Sequence, residues 1–332
     1  MYELETGNSD EFKEYRRLGQ AIGADYTGCR LDYYLAKNFL FRSRTNWQEV
    51  IRNGKVLVNR RAVKASSRLD SGDEVCYFRP VSSEPPVNKN LSVLWENEGI
   101  VAIHKPSNLP MHEGGAYRKN TFCEVLKDLL GTQWAPTHRL DRETSGIVLC
   151  SDKSQLRTEL SGSFYRRKIS KKYLAFALGE VKTPEWSVDQ PIRQTKNTSF
   201  RIKYWVEPDG LPSQTHFKVR EYARGFSFLE VFPKTGRTHQ IRVHSAWSGF
   251  PLVGDKKYFP DEKIYLEYYD KGFSENVRRA CLFDRLCLHA AAISFVHPAN
   301  KKTFTVECEL PKDMQEIWQF LKDGCLVNSG SG

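Results

Sequence analysis

Two short polar segments carry the side chains best suited to chemistry. The first, residues 138–146, has the sequence HRLDRETSG and leads into the apolar run IVLC, which predicts a loop entering a buried strand. Such a loop can hold a carboxylate at the floor of a pocket while the strand fixes its position. The carboxylate is Asp141. Arg139 and Arg142 flank it, and we expect these cations to favour its ionised form.

The second segment, residues 235–244, has the sequence TGRTHQIRVH and follows the strand-like run FSFLEVFP. Thr238 is the predicted N-cap of a helix, and Gly249 marks its predicted end. His239 and Arg242 are three residues apart, so we expect them to share one helix face. An arginine on that face could pair with a carboxylate or with a phosphate.

Neither the histidines nor the cysteines predict a metal site. His239 and His244 are five residues apart, which places them on different faces of a helix, and the sequence has no H-E-x-x-H motif. The eight cysteines include no C-x-x-C pair. We therefore predict no metal, and we interpret the cysteines as reduced thiols of a cytoplasmic protein.

The elements that must position these segments form an α+β pattern. The β-like runs are SVLWE, GIVAIHK, SGIVLCS, KYLAFALG, FSFLEVFP, AAISFVH and KTFTVECEL. Helical patterns between them include TFCEVLKDLL and THQIRVHSAW. Because strands and helices do not alternate regularly, we predict a mixed, mainly antiparallel sheet with flanking helices rather than a doubly wound parallel sheet.

Composition along the chain predicts five regions. The chain has 332 residues and a formal net charge of +10, which favours a polyanionic partner without identifying it. The opening is polar and acidic, and neither a signal peptide nor a membrane span is expected. The predicted regions are a polar extension at 1–28, a small α/β unit at 29–79, a Pro- and Ser-rich linker at 80–90, a larger α+β domain at 91–322 and a flexible tail at 323–332.

The small unit carries ten cations in about forty residues, which could grip RNA phosphates. Its pattern R-L-D-x-x-L, then S-R, then I-R-x-G-x-V-x-V-N, then G-D-x-V resembles the S4-type RNA-binding domain. A solvated basic face on an unrelated small domain is the alternative. The predicted RNA contacts in this unit are Arg30, Arg42, Arg44, Arg52 and Lys55.

Three longer motifs resemble those of the RluA-type pseudouridine synthases. They are HRLDRETSGIVL, ISKKYLAFALG and TGRTHQIRVH, in that order. VLWENEGIVAIHKPSNLPMH, GFPLVGDKKY and LHAAAISFVHP resemble further segments of the same family, so the match extends over about residues 91–311. Two places depart from it: Pro191-Ile192-Arg193, where many members carry a glycine, and residues 261–281, which are longer and more helical in pattern than expected.

The resemblance implies a role for each matching residue. Asp141 is expected to be the catalytic aspartate, Tyr173 the aromatic residue that stacks on the target base, and Arg242 the basic partner of Asp141. Arg139, Arg237 and His239 are expected to contact RNA. Without the resemblance, Tyr173 would be interpreted as a strand or core tyrosine, and the cations around it as a solvated strand edge.

The implied reaction breaks the N1–C1′ bond of uridine, rotates the uracil and joins C5 to C1′. It involves no net redox change, so no cofactor is expected. The carboxylate either attacks covalently or removes a ribose proton, and the sequence leaves both routes open. The expected substrate is structured RNA, namely large-subunit ribosomal RNA, with transfer RNA as the alternative. The chain is expected to act as a monomer without a membrane partner.

Two rival functions are consistent with the residues. A non-catalytic RNA-binding or ribosome-assembly factor could retain the same fold. A glycoside hydrolase would need a second carboxylate near Asp141, and Glu143 is the near candidate.

Overall fold

A computed structural model describes residues 15–17, 21–39, 43–78, 84–196, 198 and 203–324. Its contacts divide the chain into two compact units, residues 1–84 and residues 85–332. Arg42 of the predicted RNA contacts lies outside the described residues, as do positions 325–332 of the predicted tail. No helix in these described ranges combines the length and the hydropathy needed to cross a membrane.

The N-terminal unit contains two helices and a four-stranded antiparallel sheet with the order β1-β4-β2-β3. Its elements are β1 (Tyr15–Arg17), a 3-10 turn (Ala24–Tyr26), α1 (Leu31–Asn38), α2 (Arg44–Arg52), β2 (Val56–Val58), β3 (Arg61–Ala62) and β4 (Val75–Phe78). The Ser43 side chain caps α2 by accepting the N–H of Asn46. Trp47 of α2 and Leu31 and Leu35 of α1 are fully buried and form the centre of its core. The strand β1 falls inside the segment predicted as a polar extension.

The larger unit is built on a ten-stranded mixed sheet. Eight strands follow the order β10-β13-β14-β9-β15-β8-β6-β5, with β16 beside β15 and β7 beside β8. The strands of this unit are β5 (Ser92–Asn97), β6 (Ile100–Lys105), β7 (Ala135–Pro136), β8 (Ser145–Ser151), β9 (Ser170–Leu178), β10 (Glu185–Asp189), β11 (Ile192–Gln194), β12 (Tyr204–Val206), β13 (Gln214–Ala223), β14 (Phe226–Pro233), β15 (Leu288–Val296) and β16 (Thr303–Glu307).

Every pairing in the large sheet is antiparallel except that of β15 with β8. β11 and β12 form a separate two-stranded ribbon, and the departure at Pro191-Ile192-Arg193 lies at the start of β11. The central strands are buried on both faces, as the runs IVAIHK and SGIVLCS show. The predicted fold class, a mainly antiparallel α+β domain behind a small N-terminal unit, is confirmed.

Six helices accompany this sheet in the described part of the chain. They are α3 (Phe122–Leu130), α4 (Ser154–Tyr165), α5 (Gln240–Trp247), α6 (Glu262–Lys271), α7 (Glu275–Cys281) and α8 (Lys312–Asp323). α6 and α7 occupy the segment 261–281 that departs from the family pattern. A salt bridge of 2.7 Å from Lys203 to Glu262 ties α6 to the segment before β12.

Two glycines allow backbone segments to approach closely near the candidate site. Gly146, at the start of β8, has a φ of 120°, and a Cβ there would clash with the backbone of Ala290 in β15. Gly254 has a φ of 77°, and a Cβ there would clash with the carbonyl of Arg285. Glycine is required at both positions because no other residue combines this backbone conformation with so little space.

Candidate active site

Strand register brings the two polar segments together. Tyr173 of β9 lies opposite Ala290 of β15, and Ala290 lies opposite Gly146 of β8. Tyr173 is also paired with Val231 near the end of β14. The loop that precedes β8 and the loop that follows β14 therefore reach the same edge of the sheet, on either side of Tyr173.

These loops enclose a cavity of about 100 Å³. Its walls include all six residues predicted for the catalytic domain: Arg139, Asp141, Tyr173, Arg237, His239 and Arg242. Residues separated by as much as a hundred positions in the chain thus share one cleft. Their roles stay predictions, but the required convergence is present.

Arg242 is the centre of a charged cluster. It is 3% exposed, and its Nε and Nη2 donate to the two carboxylate oxygens of Asp255 at 2.7 and 2.8 Å. Its remaining nitrogen, Nη1, lies 3.6 Å from Asp141 and 3.7 Å from Glu143. The sequence predicted Asp141 as the partner of Arg242. The structure adds a tighter partner, Asp255, whose two hydrogen bonds fix the guanidinium and leave one nitrogen facing the Asp141 carboxylate.

Asp255 is itself held by its surroundings. One carboxylate oxygen accepts the backbone N–H groups of Lys257 and Tyr258, each at 3.1 Å. The ring of Tyr258 lies beneath the guanidinium carbon of Arg242 at 5.1 Å. Sequence reasoning assigned Asp255 no role, although the motif GFPLVGDKKY that contains it was noted. The available signal was that motif, but nothing in it identified Arg242 as the partner.

The pKa of Asp141 differs from the sequence expectation. Flanking arginines were expected to favour the ionised form. In the structure, burial raises the pKa above its usual value, and the charge of Glu143 raises it further, although Arg242 opposes both effects. The expectation holds for Arg139, whose charge lowers this pKa without outweighing burial, and it fails for Arg142. The Arg142 guanidinium bonds instead to Glu143 at 2.9 Å.

Glu143 behaves in the opposite way. Burial would raise its pKa, but the charges of Arg242 and Arg142 outweigh that effect and hold the pKa well below its usual range. Glu143 therefore stays ionised and acts as a fixed negative charge beside Asp141. Asp141 lines the cavity and Glu143 does not, and their surroundings move the pKa values of these two carboxylates in opposite directions.

Tyr173 forms the aromatic wall of the cavity. Burial, and then the negative charge of Asp141, raise its pKa well above the usual value for a phenol. The side chain is therefore a neutral phenol at physiological pH. A neutral ring on a rigid strand can stack on a base and can donate a hydrogen bond.

His239 lines the same cavity. Its Nε2 is 4.0 Å from Asp141, and its Nδ1 is 2.7 Å from the hydroxyl of Tyr258. Burial, together with the nearby charge of Arg242, lowers its pKa well below the usual value, so it offers hydrogen bonds rather than a positive charge. Thr238 was predicted as the N-cap of α5, which is wrong: His239 is the N-cap, in a left-handed conformation.

The side chain of Lys105 holds the loop of residues 138–146 in place. Its ammonium group is buried and donates to the carbonyls of Pro106, Leu109 and Arg142 at 2.8–3.0 Å. Burial lowers its pKa to about 7. Because Arg142 directly follows Asp141, the bond to its carbonyl fixes the backbone that presents the carboxylate.

The two predicted RNA contacts at the mouth of the cavity differ. Arg139 is exposed, and no described residue hydrogen-bonds or ion-pairs with its guanidinium. Arg237 is half-buried and donates to the carbonyl of Pro212 at 3.3 Å. Arg139 therefore has the more accessible guanidinium of the two.

In the N-terminal unit, two predicted RNA contacts share one buried carboxylate. Arg30 and Arg44 pair with Asp32 at 3.0 and 3.2 Å, and Gln48 also donates to it. Burial raises the pKa of Asp32, but these hydrogen bonds and charges outweigh it and keep the carboxyl ionised. Both arginines remain partly exposed, so each can hold the fold and face a phosphate. Arg52 is exposed at the end of α2. Lys55 is half-buried.

Comparison with known proteins identifies the family. A family profile described as RNA pseudouridylate synthase matches residues 99–247, and an S4 domain profile matches residues 29–75. The ribosomal large subunit pseudouridine synthase D of Escherichia coli (strain K12) is 32% identical over 92% of this chain and 94% of its own length. This chain belongs to the RNA pseudouridine synthase family.

Other relatives agree with this assignment. An RNA pseudouridine synthase of Bacillus subtilis (strain 168) is 30% identical over 88% of this chain and 94% of its own length. The structure of human RNA pseudouridylate synthase domain containing 4 aligns with a TM-score of 0.54 at 24% identity, over 69% of this chain and 92% of that one, which supports the fold. The predicted family, enzyme class and RNA partner of this pseudouridine synthase are confirmed.

Proposed function

We propose that this pseudouridine synthase modifies uridines in large-subunit ribosomal RNA, with Asp141 as the catalytic carboxylate. The observation that carries the chemical assignment is the cleft in which Asp141 and Arg242 approach to 3.6 Å beside Tyr173. The RNA is proposed from relatives named ribosomal large subunit pseudouridine synthase, including type D of Escherichia coli and type C of Vibrio vulnificus, which is 31% identical over 95% of its length.

The target base must leave its stack before it can enter the cleft. Extruding a nucleotide costs a few kcal/mol, which stacking and phosphate contacts offset. In our proposal the uracil stacks on Tyr173, and Arg139 at the mouth of the cavity holds a backbone phosphate. Arg237 and the hydrogen-bonding groups of His239 line the opposite wall.

The ionised carboxylate of Asp141 then acts on the sugar or the base. In one route it forms a covalent bond at C1′ as the N1–C1′ bond breaks, and that bond is broken again when C5 bonds to C1′. In the other it removes the C2′ proton as the N1–C1′ bond breaks, and it returns that proton to C2′ when C5 bonds to C1′. The proton on C5 is released and N1 gains one, so the product is an isomer. The guanidinium of Arg242, held by Asp255, stabilises the negative charge of Asp141 before it reacts and after it is released.

In the N-terminal unit, Arg30, Arg44, Arg52 and Lys55 are proposed to contact RNA phosphates away from the reacting base. Arg42 carries the same proposal, though it lies outside the described residues. We further propose the boundaries 29–79 and 91–322 for the two domains, a cytoplasmic location and a monomeric enzyme. Light scattering tests the last point: a monomeric enzyme gives the mass of one chain alone and the mass of one chain plus one RNA in the complex.

Tritium release from uridine labelled at C5 tests the proposal directly, because forming the C5–C1′ bond expels that hydrogen. Ribosomal and transfer RNA from cells lacking the protein would be labelled and incubated with enzyme. We expect release from large-subunit ribosomal RNA and none from transfer RNA. Release from transfer RNA alone would change the proposed substrate to transfer RNA. Release from neither would favour a non-catalytic RNA-binding factor, and free uracil would favour a glycoside hydrolase.

A further inference from the structure

A second, larger cavity adjoins the catalytic pocket. It has a volume of about 520 Å³, and six of its lining residues also line the smaller cavity. The shared wall includes Arg139 and Tyr173. The far wall is formed by the end of α4 and the residues after it, which contribute Phe164, Tyr165 and Arg167.

Tyr165 is 88% exposed, more than any other large hydrophobic or aromatic side chain in the described part of the chain. Its neighbour Phe164 packs inward, with its ring 4.3 Å from that of His138. A single exposed aromatic residue is ordinary on a protein surface. This one lines a cavity that opens beside a nucleotide-binding cleft, where a free ring face can accept a base.

Arg167 stands where the backbone favours glycine. Its φ is 60°, in the left-handed region that follows many helices, and its N–H donates to the carbonyl of Phe164. An arginine held in this conformation suggests that its side chain has a use. Within the described ranges, no residue hydrogen-bonds or ion-pairs with its guanidinium. The guanidinium of Arg139 on the shared wall likewise has no hydrogen-bond or ion-pair partner among the described residues. Lys171, in contrast, donates to the carbonyl of Thr235 at 2.8 Å.

We propose that this second cavity binds an unpaired nucleotide adjacent to the target uridine, with its base stacked on Tyr165 and a phosphate paired with Arg167. Arg139 lines both cavities, which is where the phosphate linking the two nucleotides would run. The inference rests on the proposed function. It adds that this enzyme selects uridines whose neighbour can also leave the helix, since a base paired in a duplex cannot reach Tyr165.

The test compares kcat/KM for tritium release from C5-labelled ribosomal RNA of cells lacking the protein. Stacking of one base on an aromatic side chain is worth about 1–3 kcal/mol, so Tyr165→Ala should lower kcat/KM by roughly 5- to 140-fold. Tyr165→Trp should retain activity because it keeps an aromatic face. Tyr269 is 75% exposed on α6 and lines neither cavity, so Tyr269→Ala should remain within about twofold of wild type.

Arg167→Gly provides a second variant that suits the local backbone. It removes the guanidinium while allowing the left-handed conformation, so any loss reflects the side chain. We expect weaker RNA binding and a slope of log K against log salt that is smaller by about 1. If the wild-type enzyme is active, an unchanged kcat/KM in Tyr165→Ala would overturn the inference. An equal loss of kcat/KM in Tyr269→Ala would overturn it as well. Absence of release by wild-type enzyme would instead overturn the proposed function.

Discussion

The arginines of the proposed catalytic pocket, which is the smaller cavity around Asp141, differ in exposure from those of the larger cavity beside it. In the pocket, Arg242 is nearly inaccessible and faces three carboxylates, those of Asp141, Glu143 and Asp255. In the adjoining cavity, the guanidinium groups of Arg139 and Arg167 are exposed. A buried cation surrounded by acids positions and stabilises a reacting carboxylate, whereas an exposed cation can exchange its counterions for phosphates. Under the proposed function, the first region carries out the chemistry and the second binds RNA.

The largest expected effect separates chemistry from binding in the pocket. Asp141→Asn preserves the shape of the side chain but removes the charge. The rate of tritium release at saturating RNA should fall by at least about 10²- to 10⁴-fold, because no other group in the cleft supplies the same carboxylate chemistry. RNA affinity, measured by filter binding, should change little. A variant that kept its rate would remove Asp141 from the mechanism.

The next effect tests the hold of Asp255 on Arg242. Asp255→Asn replaces a two-point ionic contact and leaves a buried guanidinium undercompensated, so we expect a loss of about 3–5 kcal/mol in unfolding free energy. Urea denaturation followed by tryptophan fluorescence would measure it. As a control, Glu185 forms an exposed pair with Lys218 at 3.3 Å, and Glu185→Gln should cost less than about 1 kcal/mol. Equal losses in the two variants would refute the buried cluster.

Asp141 and Asp255 show how much of the site can be predicted from the sequence. The run FSFLEVFP predicted β14 at Phe226–Pro233 because its apolar residues and turn neighbours are local signals. Strand patterns and the three motifs likewise indicated the fold class and the residues of the cleft. Asp255 was not assigned because its contact with Arg242 depends on how α5 packs, which no local pattern encodes.

The start of α5 shows the same limit. Thr238 fits the preference for an N-cap, yet α5 begins at Gln240. The side chain of Gln240 accepts the N–H of Arg237, and the ring of His239 bonds to Tyr258. Tertiary contacts therefore override the local capping preference. The raised pKa of Asp141 was missed for a similar reason, because burial and Glu143 are properties of the folded site.

A smaller effect, on RNA binding, is expected for Arg139, which lines both cavities. Arg139→Gln should weaken RNA binding and reduce the slope of log K against log salt by about 1, since one phosphate contact is lost. Titrations at several salt concentrations would measure that slope. Lys182 is exposed and lines neither cavity, so Lys182→Gln serves as a control of equal charge change. An unchanged slope in Arg139→Gln would exclude it as a phosphate ligand.

The smallest effect concerns the pH dependence of kcat/KM in the variant Glu143→Gln. The charge of Glu143 contributes to the raised pKa of Asp141, so Glu143→Gln should lower that pKa. Asp141 must be ionised to act, and activity is lost as the pH falls through its pKa. The acid limb of kcat/KM should therefore move to lower pH in Glu143→Gln, while Glu185→Gln should leave it in place. A shift to higher pH would contradict the assigned electrostatics.

Mapping pseudouridines in large-subunit ribosomal RNA tests the central claim most directly. The RNA would come from cells lacking the gene and from the same cells carrying either the wild-type gene or Asp141→Asn at equal protein levels. We predict that one or more pseudouridines disappear with the gene, return with the wild-type enzyme and remain absent with Asp141→Asn. An unchanged map in the deleted cells, or full restoration by the Asp141→Asn protein, would contradict the account.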